Sequence, residues 1–300
     1  MTLPPGWITG PGAGIALAIV AAFGFSFKAI LVKLAYPYGV APVTLLALRM
    51  AFALPFFLWI GLASSRGAPA LTRRDWIVVG ILGALGYYGA SILDFIGLHY
   101  ISAGLERLIL FTYPTLTLLL GALAHGHTVT RREVVALVLC YAGIAAAVAH
   151  DLNIGADGAA VWIGAAFVFA SSVSYALYLS GSAAMIARLG AARFTALAML
   201  VSTTATGAHF LASEPLAALN QPWPVYALGA AMGLFSTVLP VFAQSAAIRR
   251  VGSGRAALVG MIGPLLTIGF AWLLLGEAIS MAQIAGAVLV TLGIATVSRR

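Results

Sequence analysis

Six charged side chains lie within long apolar runs, and they are the residues of this sequence best placed to do chemistry. They are Lys28, Lys33, Arg49, Asp94, Glu106 and Arg107. If the runs cross a membrane, each charge is costly to bury, so it is expected to face a cavity or another charge. Two roles stay open at this point. The six either pair among themselves or extend to the interface, as Lys33 is placed to do, or some of them bind a charged ligand.

The elements that carry these charges are predicted to be membrane helices. The chain of 300 residues is 62% hydrophobic and 8% charged, whereas soluble domains carry roughly 25% charged residues. A spanning helix needs ~20 mostly apolar residues. Ten such stretches follow one another, at about 12–35, 41–62, 76–98, 102–124, 133–150, 159–187, 192–212, 222–247, 254–275 and 280–297. The only cysteine, Cys140, excludes an internal disulfide and is expected to be a packed, inert thiol.

The remaining cations predict the orientation of the chain. They occupy alternate connections and the C-terminus, as Arg66, Arg73, Arg74, Arg131, Arg132, Arg188, Arg193, Arg249, Arg250, Arg255, Arg299 and Arg300. The opposite connections hold no Lys or Arg, but they do hold Asp151, Asp157 and Glu214. Under the positive-inside rule both termini are therefore cytoplasmic. The net charge of +8 follows from this placement and does not indicate nucleic-acid binding.

The sequence repeats itself half a chain apart. YPTLTLLL at 113–120 aligns with GPLLTIGF at 263–270, and Gly-Ile-Ala at 143–145 recurs at 293–295. We therefore predict one five-helix repeat in residues 1–150 and a second in residues 151–300. Because five is odd, the second repeat enters the membrane from the opposite side and is inverted. Inverted repeats recur in secondary transporters, with the substrate site near the midplane. The alternative is a duplication that only built a stable bundle.

The repeat and the closing pattern of the chain resemble a known family. Gly276-Glu277-Ala278-Ile279-Ser280, followed by Gly286 and Gly293, resembles the drug/metabolite transporter superfamily, EamA type, and the resemblance covers the whole chain. Within that group the sequence looks most like bacterial inner-membrane exporters of amino acids with broad specificity. One departure is His127, which stands in the first repeat where the second has Glu277.

The resemblance implies an all-α membrane protein. Its ten transmembrane helices form two inverted five-helix repeats around a central cavity, which is lined largely by the third, fourth, eighth and ninth spans. It implies amino acids, including aromatic ones, as small-molecule substrates. We expect contact with membrane lipid, no nucleic-acid partner, no cofactor or metal, and a monomer.

Candidate binding residues are those that place charge, hydroxyl groups or aromatic rings within the spans. Asp94 has a polar counterpart, Gln244, at the same position of the second repeat. A glycine at every third residue from Gly80 to Gly89 either lets helices pack closely or opens a groove beside two tyrosines. The candidates are Lys28, Arg49, Tyr87, Tyr88, Ser91, Asp94, Glu106, Tyr175, Tyr178, Ser236 and Gln244.

The repeated prolines are predicted to act as hinges. Pro114 and Pro264 each remove a backbone hydrogen bond and free the carbonyls of Leu110 and Gly260. They are expected to kink the fourth and ninth spans near mid-membrane. Such freed carbonyls either bind a substrate ammonium or mark the point at which a helix bends.

The inverted repeat predicts a secondary transporter that works by alternating access, and the resemblance implies that it exports amino acids from the cytoplasm across the bacterial inner membrane. The sequence contains no Walker A, HExxH or GxSxG motif, so neither ATP-driven transport nor these types of enzyme are supported. An exporter of another small metabolite or drug is the main alternative, ahead of a channel or an intramembrane enzyme. Proton coupling through Asp94 or Glu106, and facilitated efflux without such coupling, both stay open.

Overall fold

The structure, a computed structural model, describes residues 11–125, 130–153, 158–260 and 262–298, and the regular secondary structure in these ranges is entirely helical. The helices are α1 (Pro11–Ala35), α2 (Pro42–Ser65), α3 (Arg73–Gly83), α4 (Ala90–Tyr100), α5 (Ala103–Leu110), α6 (Tyr113–His125), α7 (Arg131–Asn153), α8 (Gly158–Leu189), α9 (Ala191–Ser213), α10 (Trp223–Gly233), α11 (Leu239–Gly260), α12 (Gly263–Phe270) and α13 (Met281–Ser298). His127, Asp157, Arg299 and Arg300, which the sequence predictions used, lie outside these ranges.

Six helical spans in the described ranges are long and apolar enough to cross a membrane. They are Gly12–Tyr38, Pro42–Ser65, Arg73–Tyr100, Gly158–Leu189, Ala191–Ser213 and Trp223–Ile248. Three shorter apolar helices are Val134–Ala149, Gly263–Leu275 and Met281–Gly293. A helix satisfies its own backbone hydrogen bonds, which is why apolar runs of this kind form helices in lipid. The all-helical prediction is confirmed, whereas the count of ten spans stays a prediction.

Two of these spans contain a π-helical turn at equivalent positions. Ala84–Gly89 joins α3 to α4, and Leu234–Val238 joins α10 to α11. The two turns begin 150 residues apart, which is the offset of the sequence repeat. π-helical turns are frequent at functional sites because they re-aim side chains within a helix. Both turns place predicted binding residues, Tyr87 in the first and Ser236 in the second.

The helices that carry the repeated prolines are interrupted directly before the prolines. α5 ends at Leu110 and α6 begins at Tyr113, while α11 ends at Gly260 and α12 begins at Gly263. Each proline is therefore the second residue of a new helix, where its missing N–H costs no helical hydrogen bond. The prolines start helices rather than kink continuous ones.

The turn predicted between the eighth and ninth spans is wrong. Helix α11 continues from Leu239 to Gly260 through the residues assigned to that connection. On this helix Ala247, Val251 and Val259 pack in one cluster with Ala18 of α1. The buried apolar contact with α1 explains why the helix persists, since tertiary packing overrides local propensity.

Contacts between the two halves occur in equivalent pairs. A Cβ atom on Gly143 of α7 would lie 2.7 Å from the carbonyl oxygen of Gly286, and one on Gly293 of α13 would lie 2.8 Å from that of Ala136. At the repeat offset of 150 residues, Gly143 aligns with Gly293 and Ala136 aligns with Gly286, so the two contacts are equivalent. Because the later residue of α7 meets the earlier residue of α13, the equivalent helices run antiparallel.

Candidate functional site

Three of the predicted binding residues form a buried charged cluster. Lys28 Nζ on α1 lies 2.5 Å from Asp94 Oδ2 on α4 and 3.4 Å from Glu106 Oε1 on α5. Both acidic residues are buried. Within the described ranges, Asp94 Oδ1 and Glu106 Oε2 have no hydrogen-bond partner. One ammonium group therefore serves two carboxyl groups, which also interact with each other.

Arg49 joins this region to the second half of the chain. Its Nε donates to Thr237 Oγ1 at 2.8 Å, and its NH1 donates to Ser91 Oγ at 3.3 Å. The guanidinium also lies over the ring of Phe95, 5.6 Å from the centroid. Both hydrogen-bond acceptors are neutral hydroxyl groups. Among the described residues, the positive charge is thus buried without an opposite charge in direct contact.

Tyr87, Tyr175 and Tyr178 form an aromatic cluster between the halves. The hydroxyl of Tyr178 on α8 donates to the hydroxyl of Tyr87 at 3.2 Å. Tyr175 stacks on Tyr178 with ring centroids 5.7 Å apart, and Tyr113 meets Tyr175 edge-on at 5.0 Å. Tyrosines that pair rings with hydroxyl groups suit a ligand that has both apolar and polar parts.

The other candidates do not join these groups. The Tyr88 hydroxyl lies 3.0 Å from His209 Nδ1 on α9, away from Tyr87. The Ser236 hydroxyl is buried, with no hydrogen-bond partner in the described ranges. Gln244 is half-buried on α11. No hydrogen bond between the described residues connects it to the charged cluster.

The carbonyl groups next to the first helix break are already bound. Ser172 Oγ on α8 lies 3.1 Å from the carbonyl oxygens of both Ile109 and Leu110. The Leu110 carbonyl, predicted to be freed by Pro114, therefore accepts from a side chain instead of facing a ligand. The structure does not support the expectation that this carbonyl binds a substrate ammonium.

Glu277 of the closing pattern caps a helix of the other half. Its Oε1 and Oε2 accept from the backbone N–H of Ala103, at 3.1 and 3.2 Å. Ala103 is the first residue of α5, where a negative charge stabilises the exposed N–H groups and the helix dipole. The carboxylate thus positions α5, and with it Glu106.

Arg107 is the residue that the candidate set leaves out. It is buried beside Glu106, and its guanidinium lies 4.9 Å from the ring centroid of Phe111. Its Nε has no hydrogen-bond partner in the described ranges. The signal in the sequence is the pair of adjacent opposite charges within an apolar run. A sequence with Glu106 next to Arg107 is equally consistent with a simple ion pair between them.

A cavity of about 280 Å³ lies apart from these charges, where α7 and α8 meet the break between α5 and α6. Its lining is mostly apolar, with hydroxyl groups on Thr112 and Tyr141, and the Thr112 hydroxyl donates to Ile109 O at 2.8 Å. Trp162 at its edge is 61% exposed, so the cavity opens on the outer surface of the bundle. None of the predicted binding residues lines it.

The EamA-like transporter family model matches residues 12–149 and matches again over residues 162–299. The chain belongs to the EamA-like transporter family. The two matches divide it into two related halves, and the resemblance to the drug/metabolite transporter superfamily is confirmed. Together with the apolar helices, the family membership makes this a multi-pass membrane protein.

Relatives of this EamA-like chain are named as transporters. The uncharacterized transporter YcbK of Bacillus subtilis is 31% identical over 91% of this chain and 89% of its own length. An uncharacterized transporter of Archaeoglobus fulgidus is 23% identical over 95% of this chain and 98% of its own. A crystal structure with 19% identity shares the fold, with a TM-score of 0.65 over 97% of this chain and 100% of that one. Family and relatives thus indicate a transporter and not an enzyme.

Proposed function

We propose that this EamA-like protein is a secondary transporter that exports amino acids of broad specificity, including aromatic ones, from the cytoplasm. The observation that carries the proposal is the position of Arg49, which interacts electrostatically with both Asp94 and Tyr87 and donates to Thr237 of the second half. An amino acid presents an ammonium, a carboxylate and a variable side chain. Each of these three parts finds a suitable group among the buried side chains.

The ammonium of the substrate binds Asp94 or Glu106. Both carboxyl groups have an oxygen without a partner in the described ranges, and Lys28 occupies the other oxygen of each. Lys28 therefore holds the acids in place while the site is empty. A second ammonium arriving at the remaining oxygens gains charge-assisted hydrogen bonds, which are shorter and stronger than those between neutral groups.

The aromatic cluster receives the variable side chain. Tyr87 and Tyr178 come from different halves and touch through their hydroxyl groups. An aromatic substrate ring gains edge or stacking contacts with such tyrosines, whereas a smaller side chain leaves room for water. This tolerance suits broad specificity. It equally suits an aromatic drug or metabolite, which is the alternative cargo.

The relation between the halves supports the proposal of alternating access. Equivalent helices run antiparallel, so an exchange of conformation between the halves moves the opening from one side of the membrane to the other. The interruptions before Pro114 and Pro264 are the proposed hinges. In this proposal the chain is a monomer with ten spans in the bacterial inner membrane, and both termini are cytoplasmic.

Counterflow in proteoliposomes tests the function. Vesicles loaded with unlabelled amino acid should accumulate the labelled amino acid transiently, because a carrier exchanges substrate faster than it dissipates the gradient. Repeating the assay with an imposed pH gradient distinguishes proton coupling from facilitated efflux. Empty liposomes are the control. Absence of counterflow for every amino acid, with counterflow of an aromatic amine or drug, would favour the alternative cargo.

A further inference from the structure

Arg107 carries a buried positive charge that no hydrogen bond between the described residues satisfies. The residue is 7% exposed, and its Nε has no acceptor in the described ranges. The guanidinium carbon lies over the face of the Phe111 ring, 4.9 Å from the ring centroid. A ring face attracts a cation but does not accept its N–H groups in the way an oxygen does. Burying a guanidinium in this manner is costly unless an anion completes its surroundings.

The guanidinium of Arg107 lies close to the start of a helix from the other half. A Cβ atom on Gly263, the first residue of α12, would lie 3.3 Å from Arg107 NH2. Phe111 Cζ lies nearer, at 2.9 Å from the same position, so Gly263 leaves room for the ring of Phe111 and for the guanidinium. The residue before α12, Ile262, provides no side-chain cap, and Pro264 supplies no N–H. The positive end of the α12 dipole therefore lies beside a second positive group.

The balance of buried charge also calls for an anion. Lys28, Arg49 and Arg107 supply three cations in this region, whereas Asp94 and Glu106 supply two carboxyl groups. Both carboxyl groups form ion pairs with the Lys28 ammonium, and Arg49 donates to two neutral hydroxyl groups. Of the two guanidinium groups, Arg107 is the one with a buried N–H group, at Nε, that has no acceptor among the described residues.

We infer that Arg107, together with the start of α12, forms the subsite for a carboxylate of the transported molecule. Arginine presents a planar fork of donors that matches a carboxylate, and an anion here relieves the repulsion between the guanidinium and the helix end. Arg107 and Glu106 interact electrostatically, so the ammonium and carboxylate sites are close together, although consecutive helical residues point in different directions. Arg107 also lies within electrostatic range of Tyr113 and Tyr175, next to the proposed place of the side chain. The inference rests on the proposed function and assigns the substrate carboxylate.

Three ligands that share a phenyl ring distinguish the subsite for the ammonium from the subsite for the carboxylate. Phenylalanine carries both charges, 3-phenylpropionate only the carboxylate, and 2-phenylethylamine only the ammonium. Ligand-induced shifts of melting temperature are measured on the full-length protein in detergent across a concentration series, because a ligand that binds the folded state raises its stability. The same series is measured for Arg107→Gln and Arg107→Lys.

The matched control is Arg193→Gln. Arg193 is as buried as Arg107, at 7% exposure, but it donates to Ser65 Oγ and to Pro69 O. We expect Arg107→Gln to abolish the shift with 3-phenylpropionate and to raise the half-maximal phenylalanine concentration by about tenfold or more, as for the loss of a hydrogen bond to a charged group. The shift with 2-phenylethylamine should remain. Arg193→Gln should respond to all three ligands as the wild type does.

Each further outcome decides between the two proposals. If 3-phenylpropionate fails to stabilise the wild type, or stabilises Arg107→Gln equally, the carboxylate subsite is wrong. If 3-phenylpropionate binds through Arg107 but phenylalanine does not bind, the subsite stands and amino-acid export is wrong. Should Arg107→Gln not fold, Arg107→Lys decides. It keeps the charge but loses the fork, so an unchanged response to 3-phenylpropionate would overturn the subsite.

Discussion

The charged residues break the symmetry that the backbone keeps. The residues Lys28, Arg49, Asp94, Glu106 and Arg107 are aligned in the second half with Tyr178, Met199, Gln244, Ala256 and Ala257. All five charges thus belong to one half, although the helix breaks and π-helical turns occur in both. A carrier with one substrate site needs only one set of binding groups, provided that both halves can move around it.

At the residue scale, Asp94→Asn tests whether the charged cluster binds substrate. The amide keeps the shape of the side chain but removes the charge that attracts an ammonium. We expect normal membrane insertion, because a neutral amide is cheaper to bury than a carboxylate. Export should fall by about tenfold or more, since loss of one partner from a buried charged contact is strongly unfavourable. The measurement is counterflow of labelled amino acids at equal protein content.

The double variant Lys28→Met/Asp94→Asn is the matched control. Asp94 is 2.5 Å from Lys28, so Asp94→Asn also weakens an internal ion pair. Recovery of transport in the double variant would show that Asp94 only neutralises Lys28. We expect no recovery, because the substrate ammonium still lacks one of its two carboxyl groups.

Depth in the membrane could be predicted for these residues, whereas their partners could not. Apolar runs place Lys28 and Asp94 within helices, but they do not say which helices touch. The pairing of Lys28 with both Asp94 and Glu106 depends on how α1, α4 and α5 pack. For the same reason, nothing in the sequence indicates that the guanidinium of Arg107 lacks a hydrogen-bond partner.

At the element scale, the glycine stripe of α3 and the adjoining π-helical turn serves mainly for close packing. A Cβ atom on Gly83 would lie 2.7 Å from the carbonyl oxygen of Ala198 on α9, and one on Gly86 would overlap the ring of Tyr178 on α8. Around Gly80, by contrast, no described atom lies within 4 Å of such a Cβ. Gly86 therefore fixes the position of a tyrosine in the aromatic cluster.

Gly86→Ala and Gly80→Ala form a matched pair of substitutions. We expect Gly86→Ala to displace Tyr178, to break its hydrogen bond with Tyr87, and to lower stability by about 1–3 kcal/mol, as overpacking does. Export of aromatic amino acids should fall more than export of alanine. Gly80→Ala should leave both properties unchanged. Melting curves in detergent and counterflow of phenylalanine against alanine check this. Equal behaviour of the two variants would contradict the packing role.

Element types were easier to predict than element boundaries. Long apolar runs indicate helices because lipid offers the backbone no other partner. The interruptions before Tyr113 and Gly263 follow from the repeated prolines, although a kink and a break are not distinguished by sequence. The continuation of α11 to Gly260 depends on contact with Ala18 of α1, which local sequence does not contain.

At the scale of the whole molecule, two predicted cytoplasmic connections lie together on one face. Arg193, at the start of α9, donates to Ser65 Oγ and to Pro69 O after α2. Arg188, at the end of α8, pairs with Asp75 at 2.8 Å. The segments after α2 and after α8 thus meet at the same end of the bundle. This is the arrangement that the distribution of arginines predicts for the cytoplasmic side.

Cysteine labelling in intact cells tests the orientation of the molecule. In a Cys140→Ala background, single cysteines at the exposed positions Ala70 and Ala191 should be shielded from a membrane-impermeant thiol reagent, because both connections face the cytoplasm. A cysteine at Ala156, which lies outside the described residues, follows an odd number of predicted spans and should label. Permeabilised cells are the control, in which all three should react. Labelling of Ala70 and Ala191 from outside, with Ala156 protected, would reverse the orientation. Labelling of all three in intact cells would contradict the predicted number of spans.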